Sequence, residues 1–396
     1  MNELRRKIGQ EIRERGPIPF SRYMELCLYD DEFGYYSRHA SQFGKAGDFY
    51  TSSDVHAVFG RLLARQFEEM WRALDRPARF TVQELGPGRG LFAQDVLDWS
   101  AKKFPELFQA LHYVLVESSP SSRRRIEANL SRHLESGTAL LLTTATSSAE
   151  GQSSARSHGT TEVVAFPNFA APGVVFANEF FDALPVEVVS AQGSLRIDSR
   201  EGRFVETWAP PSPDELEFLD RYSVHPEDGE RIEVPLQAQA AMRTAVSMER
   251  GFTVVIDYGY TREEQLAGRH RGTLKAIRQH SVSANPYEAP GEQDITADVN
   301  FTALAAAAEN QGFHVQKLVT QSQFLMGIGE VNQFADAFED CRLPQERAKV
   351  ALQLKHLVTP AGMGESFHVL VASKGVEREK AAALAGLNFG RTVRTT

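Results

Sequence analysis

A glycine-rich turn limits what this chain can fold into more than any other feature. Thr81-Val-Gln-Glu84-Leu-Gly86-Pro-Gly88-Arg-Gly90 closes a short apolar run and leads directly into a helical pattern that starts at Leu91. Glycine accepts positive φ and lets backbone approach a bound molecule closely, while the first turn of a helix offers unpaired N–H groups. Such a turn belongs at the carboxyl end of a strand in a parallel sheet, where open α/β folds leave a crevice. The rest of the chain supplies that sheet. Residues 80–85, 111–116, 174–177, 252–256 and 366–373 read as buried strands, with helical patterns at 91–104 and 122–134 between them. Weaker runs at 138–143 and 313–319 would bring the total to seven. The expectation is an α/β, Rossmann-like core with a mostly parallel seven-stranded sheet.

Five regions follow from the same reading. Residues 1–75 form an N-terminal helical cap, with Leu4, Ile8 and Ile12 at helical spacing and Gly16-Pro17 as the stop. Residues 76–260 form the core, interrupted at about 186–250 by an antiparallel excursion with turns at Gln192-Gly193 and Glu201-Gly202. Residues 261–300, rich in Gly, Pro and polar side chains, read as an inserted loop region; residues 301–374 carry the last two strands, and 375–396 a flexible tail. Residues 144–162 read as a Ser/Thr-rich surface loop, and Asp294-Ile-Thr296 with Asp298 as a helix start capped by Thr296 or Asp298.

Composition narrows the function. The 43 Lys and Arg against 52 Asp and Glu give a net charge of −9, the wrong sign for sequence-independent phosphate binding, so no nucleic-acid partner is expected. Cys27 and Cys341 lie far apart with no CxxC, which leaves neither a disulfide framework nor a cysteine zinc site. No apolar run approaches the ~18 residues of a membrane span, and the N-terminus lacks the apolar stretch of a signal peptide. The expected location is cytoplasmic. The histidines show no H-E-x-x-H or H-x-H spacing, and no metal is expected.

The glycine spacing is G-x-G-x-G, with an acid, Glu84, two residues before Gly86, rather than the G-x-G-x-x-G of dinucleotide folds. A carboxylate there repels a pyrophosphate but suits a ligand carrying an amino group or sulfonium. The next strand ends at Glu117, about one βαβ unit further on, where an acid can accept both hydroxyls of a ribose. Glu84, Gly86, Gly88, Gly90 and Glu117 together point to S-adenosyl-L-methionine; the alternative is a tight turn with a surface acid. The fourth strand ends in Asn178-Glu179-Phe-Phe181-Asp182-Ala-Leu-Pro185, whose Asn178 and Phe181 match the outer positions of the N-P-P-Y/F loop of amide and adenine N-methyltransferases. Two acids and an amide beside a methyl donor suit a basic acceptor, with helix capping by Asn178 as the alternative. Asp257 and Tyr258 end the fifth strand and either face substrate or close the turn.

These segments, together with Pro19-Phe-Ser-Arg-Tyr-Met24, Tyr29-Asp30, Phe33-Gly34-Tyr35-Tyr36 and Gly47-Asp48-Phe49-Tyr50-Thr51-Ser52, resemble the MidA-type family of class I S-adenosylmethionine-dependent methyltransferases over residues ~17–373. Mitochondrial members of that family are complex I assembly factors. The resemblance implies a class I methyltransferase core, adds Gly47, Asp48, Phe49 and Thr51 to the cofactor site, and implies N-methylation of an arginine in a protein partner, a complex I core subunit or a bacterial counterpart. Thr51-Ser52-Ser53-Asp54 departs from the family's T-S-P-E, and Gly60-Arg61 from its G-E. On this reading Glu179 and Asp182 localise the charge of the guanidinium, Asn178 fixes its orientation, and Phe181, Asp257 and Tyr258 line the acceptor side. A cofactor-binding assembly chaperone without methyl transfer and a nicotinamide oxidoreductase are the rival readings.

Overall fold

The five strong apolar runs form strands Phe80–Leu85, Leu111–Val116, Gly173–Asn178, Gly251–Tyr260 and Phe367–Lys374. The computed structural model describes residues 2–38, 57–143, 171–278, 281–283 and 285–390. Among these, the core sheet runs in the order His314–Val315, Phe367–Lys374, Gly251–Tyr260, Gly173–Asn178, Phe80–Leu85, Leu111–Val116, Ala139–Leu142, with Val299–Asn300 and Val319–Thr320 pairing at its side. The strands from Ala139–Leu142 across to Gly251–Tyr260 are parallel, and Phe367–Lys374 runs antiparallel to Gly251–Tyr260. Both weak runs, at 138–143 and 313–319, supply strands.

Alternate residues of each strand feed opposite faces of the sheet. Phe80, Val82, Phe176, Val254 and Ile256 pack with the helices Ala57–Ala73 and Leu91–Lys103, where the Phe92 and Phe176 rings stack 4.6 Å apart. Leu85, Val175, Ala177 and Val255 pack with helices Leu236–Ala245 and Phe301–Glu309 on the other face. Burial on both faces is why these strands read as continuous apolar runs. Register then places the site: Leu85 pairs with Val116 and Ala177, and Ile256 with Asn178, so Gly86, Glu117, Glu179 and Asp257 all emerge at one carboxyl edge.

The antiparallel excursion is a five-stranded sheet of Ile18–Pro19, Gly193–Arg200, Glu187–Ser190, Arg231–Val234 and Arg203–Ala209. Helices Glu3–Arg15 and Phe20–Tyr29 pack on it rather than capping the core. Leu4, Ile8, Phe20, Tyr23 and Met24 share one apolar cluster with Val188, Leu195, Ile197 and Ile295. Residues 1–75 are therefore divided, because the later helix Ala57–Ala73 buries Phe59, Leu62, Leu63 and Phe67 in the main core.

Three further expectations are corrected. Residues 261–300 are not merely loop: they hold the helix Arg262–Leu266 and a three-stranded sheet of Lys275–Arg278, Ser281–Ser283 and Asp294–Thr296. Ala276 and Ile295 anchor that sheet in the accessory cluster, and one or two apolar residues per short strand leave little periodicity to read. Asp294-Ile-Thr296 is a strand, and the helix starts at Phe301 with Asn300 as cap, its side chain accepting from the Ala303 N–H. Within the tail, residues 375–390 are packed. Ala381 and Leu384 are buried, the Gly386 N–H donates to Gln66, and the Ala385 N–H donates to Glu69.

Candidate functional site

The glycine turn has the conformation its sequence requires. Gly86, Gly88 and Gly90 have φ of +64°, +56° and +73°, values an L side chain adopts only with strain. The reason for glycine differs between the first two. At Gly86 a Cβ would lie 2.8 Å from the Phe180 ring, so the aromatic loop closes directly on the turn; at Gly88 no atom of the described residues lies within 4 Å of such a Cβ. Gly90 is the residue before helix Leu91–Lys103, whose free N–H groups face the same edge.

The two acids lie beside this turn. Glu117 is 9% exposed and accepts the Gly88 N–H on Oε2 at 3.2 Å and the Ser119 N–H on Oε1 at 2.8 Å, which ties the end of the second strand to the glycine loop. Burial pushes its carboxyl up to about 7, against the lowering effect of those donors. Glu84 is 5% exposed and takes a 2.8 Å hydrogen bond from the Tyr113 hydroxyl. Its burial raises it to about 8 despite that bond. Neither carboxylate accepts a hydrogen bond from a cation among the described residues, although Arg123 donates to the Glu117 carbonyl at 3.3 Å, and a positively charged ligand would help both to ionise.

The Asn178 loop is held by a residue the sequence left ambiguous. Asp257 is fully buried, and its Oδ2 accepts the N–H groups of Phe180, Phe181 and Asp182 at 3.2, 3.0 and 3.4 Å, while Oδ1 accepts that of Tyr258. Asp257 closes the turn and does not face a substrate. Burial first, and then the neighbouring Asp182 and Glu179 charges, hold it well above the usual carboxylate range. Phe181 is likewise a packing residue, 3% exposed in the cluster with Met242 and Phe301. Tyr258 does reach the site: its hydroxyl donates to Asp182 Oδ2. Asp182 is 6% exposed, burial raises it to about 6, and its Oδ1 has no hydrogen-bond partner among the described residues. Glu179 adopts φ +49°, an unusual value for a non-glycine residue, and its Oε1 accepts from Asn178 Nδ2 at 3.2 Å. Asn178 Oδ1 is buried without a partner among the described residues. Gly47, Asp48, Phe49 and Thr51 lie outside the described residues.

Sequence reasoning gave no site role to three aromatic residues found here. Phe180 covers Gly86, the Tyr36 hydroxyl donates to Asp294 Oδ1 at 3.0 Å, and the Tyr29 hydroxyl donates to the Ala183 carbonyl at 3.0 Å. The Tyr36 carbonyl also accepts from Ser119 and Ser121, the residues just beyond Glu117. The signal was present in Tyr29-Asp30 and Phe33-Gly34-Tyr35-Tyr36, but only folding shows that this N-terminal segment reaches the sheet edge.

A glycine loop tied to an acid at the carboxyl edge of a parallel sheet is the arrangement of a nucleoside-binding α/β enzyme. The sequence profile of the family described as "Putative S-adenosyl-L-methionine-dependent methyltransferase" matches residues 62–319. The chain belongs to this family. It is also similar to the mitochondrial protein arginine methyltransferase NDUFAF7 homolog of Drosophila melanogaster, 29% identical over 94% of this chain and 85% of that protein. The human mitochondrial protein arginine methyltransferase NDUFAF7 is 26% identical over 92% of this chain and 81% of its own length. Among solved structures, a COG1565 superfamily member from Burkholderia thailandensis bound to S-adenosyl-homocysteine superposes with a TM-score of 0.75 at 27% identity, covering 96% of this chain and 94% of the other.

The residues present fit S-adenosyl-L-methionine as cofactor. Among the described residues nothing crowds the Gly88 backbone, and the Glu117 carboxylate, held by backbone N–H groups including those of Gly88 and Ser119, has acceptor capacity left for a ribose hydroxyl. Among the described residues no group of three His, Cys, Asp or Glu is placed to hold a metal ion, and no helix is long and apolar enough to cross a membrane.

Proposed function

We propose that this methyltransferase acts on a guanidinium nitrogen of an arginine in a protein acceptor. The observation that carries the reading is Asp182 Oδ1, a buried carboxylate oxygen with no donor among the described residues, at the same sheet edge as the Gly86–Gly90 turn. Leaving such an atom unpaired is costly, and a multidentate cationic donor would satisfy it. The names of the relatives from fly and human support the same acceptor class.

Glu84, Gly86, Gly88, Gly90 and Glu117 would hold the cofactor, which supplies an electrophilic methyl carbon when bound. The chain's part is to bind, aim and deprotonate. A guanidinium is a poor nucleophile because its charge is delocalised and its pKa exceeds ~12. Carboxylates from Glu179 and Asp182 localise that charge, Asn178 orients the plane, and Asp182, raised to about 6, can take the N–H proton the acceptor must lose. Phe180 and Tyr258 narrow the opening, so that proximity and partial exclusion of water supply much of the rate. A complex I core subunit or its bacterial counterpart is the acceptor suggested by the resemblance. The two free cysteines, Cys27 and Cys341, support a reducing compartment such as the cytoplasm.

Incubation with methyl-labelled S-adenosylmethionine and a cell extract, followed by mass spectrometry, tests the reading. Methylarginine on a protein, absent with Gly88→Val, is the expected result. Saturable cofactor binding with no methylated product would favour an assembly chaperone, and label on another residue type would reject arginine.

A further inference from the structure

We infer that Tyr36 is a positioning residue for methyl transfer, one that links the cofactor end of the second core strand to the backbone of the Asn178–Pro185 loop. That the loop is the acceptor side is taken from the reading above. Tyr36 lies in the short helix Tyr35–Arg38 and is tied in two directions. Its carbonyl accepts from the Ser119 hydroxyl at 3.0 Å and the Ser121 hydroxyl at 3.3 Å, both serines being buried. Ser119 in turn donates its N–H to Glu117, which holds the Gly88 N–H. At its other end the Tyr36 hydroxyl donates to Asp294 Oδ1 at 3.0 Å, in the three-stranded sheet of residues 261–300.

Two struts carry these positions to the loop. Just beyond strand Asp294–Thr296 the Ala297 N–H donates to the Asp182 carbonyl at 3.0 Å. Tyr29, whose ring lies 5.5 Å from that of Tyr36, donates its hydroxyl to the next carbonyl, that of Ala183, at 3.0 Å. The loop backbone is thus held at consecutive residues by the two elements that Tyr36 contacts. Burial raises both tyrosine hydroxyls well above their ordinary range, so each stays protonated and donates across neutral pH. The turn between them sets how the rings meet. Asp30 Oδ1 accepts the N–H groups of Glu32 and Phe33, its Oδ2 pairs with Lys7, and the Gly34 N–H closes on the Asp30 carbonyl at 2.9 Å. A Cβ at Gly34 would lie 2.5–2.8 Å from backbone atoms of Asp30 and Leu28, so only glycine lets the turn close this tightly. A nucleoside hydroxyl donating to Glu117 restricts that carboxylate and Ser119, and Tyr36 passes the restriction to the loop. Phe180 packs close to Gly86 and supplies a second link, so some coupling survives loss of the Tyr36 hydroxyl.

Amide hydrogen exchange on the full chain, with and without saturating S-adenosylhomocysteine, tests the link in the absence of any acceptor. In the wild type the ligand should slow exchange at residues 180–184 by about tenfold. In Tyr36→Phe, which keeps the ring and the carbonyl, the slowing should fall to about twofold or less, with circular dichroism unchanged and S-adenosylhomocysteine affinity within about threefold of the wild type. A purely structural role would speed exchange at 180–184 equally with and without ligand; a ratio left at its wild-type value overturns the inference. So does the absence of ligand-dependent slowing in the wild type. Loss of S-adenosylhomocysteine binding in Tyr36→Phe overturns it too, by making Tyr36 part of the cofactor site. Each of these failures leaves the arginine reading standing, because no acceptor is present and the methylarginine search decides that reading separately.

Discussion

Glu84 is a carboxyl whose burial works against its own ionisation. Folding moves it from 4.5 to about 8, so between those values the folded chain binds its proton more tightly than the unfolded chain does. Stability is therefore lost as pH rises through that window, by a few kcal/mol once the group is fully ionised. Glu84→Gln removes the penalty. Its melting temperature should match that of the wild type near pH 5 and exceed it increasingly toward pH 8, and a constant difference in melts across that range would contradict the assignment. The same residue links cofactor binding to pH, because a cationic ligand favours the ionised form. Titration calorimetry in two buffers of different ionisation enthalpy should detect proton release on S-adenosylmethionine binding at pH 7, reduced in Glu84→Gln. Gly88→Val tests the glycine turn: the β-branched side chain meets φ +56° at a position that no described residue crowds, at a cost of about 1–2 kcal/mol. A folded protein that no longer binds S-adenosylhomocysteine is expected, and retained affinity would move the nucleoside elsewhere.

At the scale of elements, one side chain organises the candidate acceptor loop. Three consecutive N–H groups, from Phe180 to Asp182, converge on Asp257 Oδ2. Asp257→Ala should cost about 2–4 kcal/mol and speed amide exchange at 180–182, while exchange in strand Phe80–Leu85 stays slow. Equal protection of that loop in both proteins would show that its own packing suffices. A comparable joint lies after the second strand. Ser119 caps helix Pro120–Asn129, its N–H donates to Glu117, and its hydroxyl donates to the Tyr36 carbonyl. Ser119→Ala should lower stability by about 1 kcal/mol and also weaken S-adenosylhomocysteine binding; denaturant unfolding with a parallel ligand titration separates the two effects.

Over the whole molecule, the accessory unit and the tail are bound into the core rather than appended to it. Residues 375–390 cover Phe324 and complete the hydrogen bonding of Gln66 and Glu69. A chain ending at Lys374 should melt at lower temperature, having lost the buried Ala381 and Leu384 and uncovered part of Phe324, at a cost of about 2–4 kcal/mol; an unchanged melt would make the tail dispensable. The parallel core, its glycine turn and the paired acids Glu84 and Glu117 were all legible in the sequence. Each is a local pattern of strand, turn or helix start with a period or spacing that survives without neighbours. For Phe181 and Asp257 strand-end position is the only guide the sequence offers, and it points toward substrate, whereas side-chain direction there depends on which helix packs behind the loop. The strand Asp294–Thr296 looked like a helix start because three residues carry no period, and its identity comes from pairing with Lys275–Arg278. By itself the sequence determined the sheet, the cofactor turn and the class of ligand, since short-range backbone chemistry fixes them. Only the tertiary structure joined Tyr36 to Asp294 and Tyr29 to the Ala183 carbonyl, because contacts between residues more than a hundred positions apart are set by how apolar faces pack.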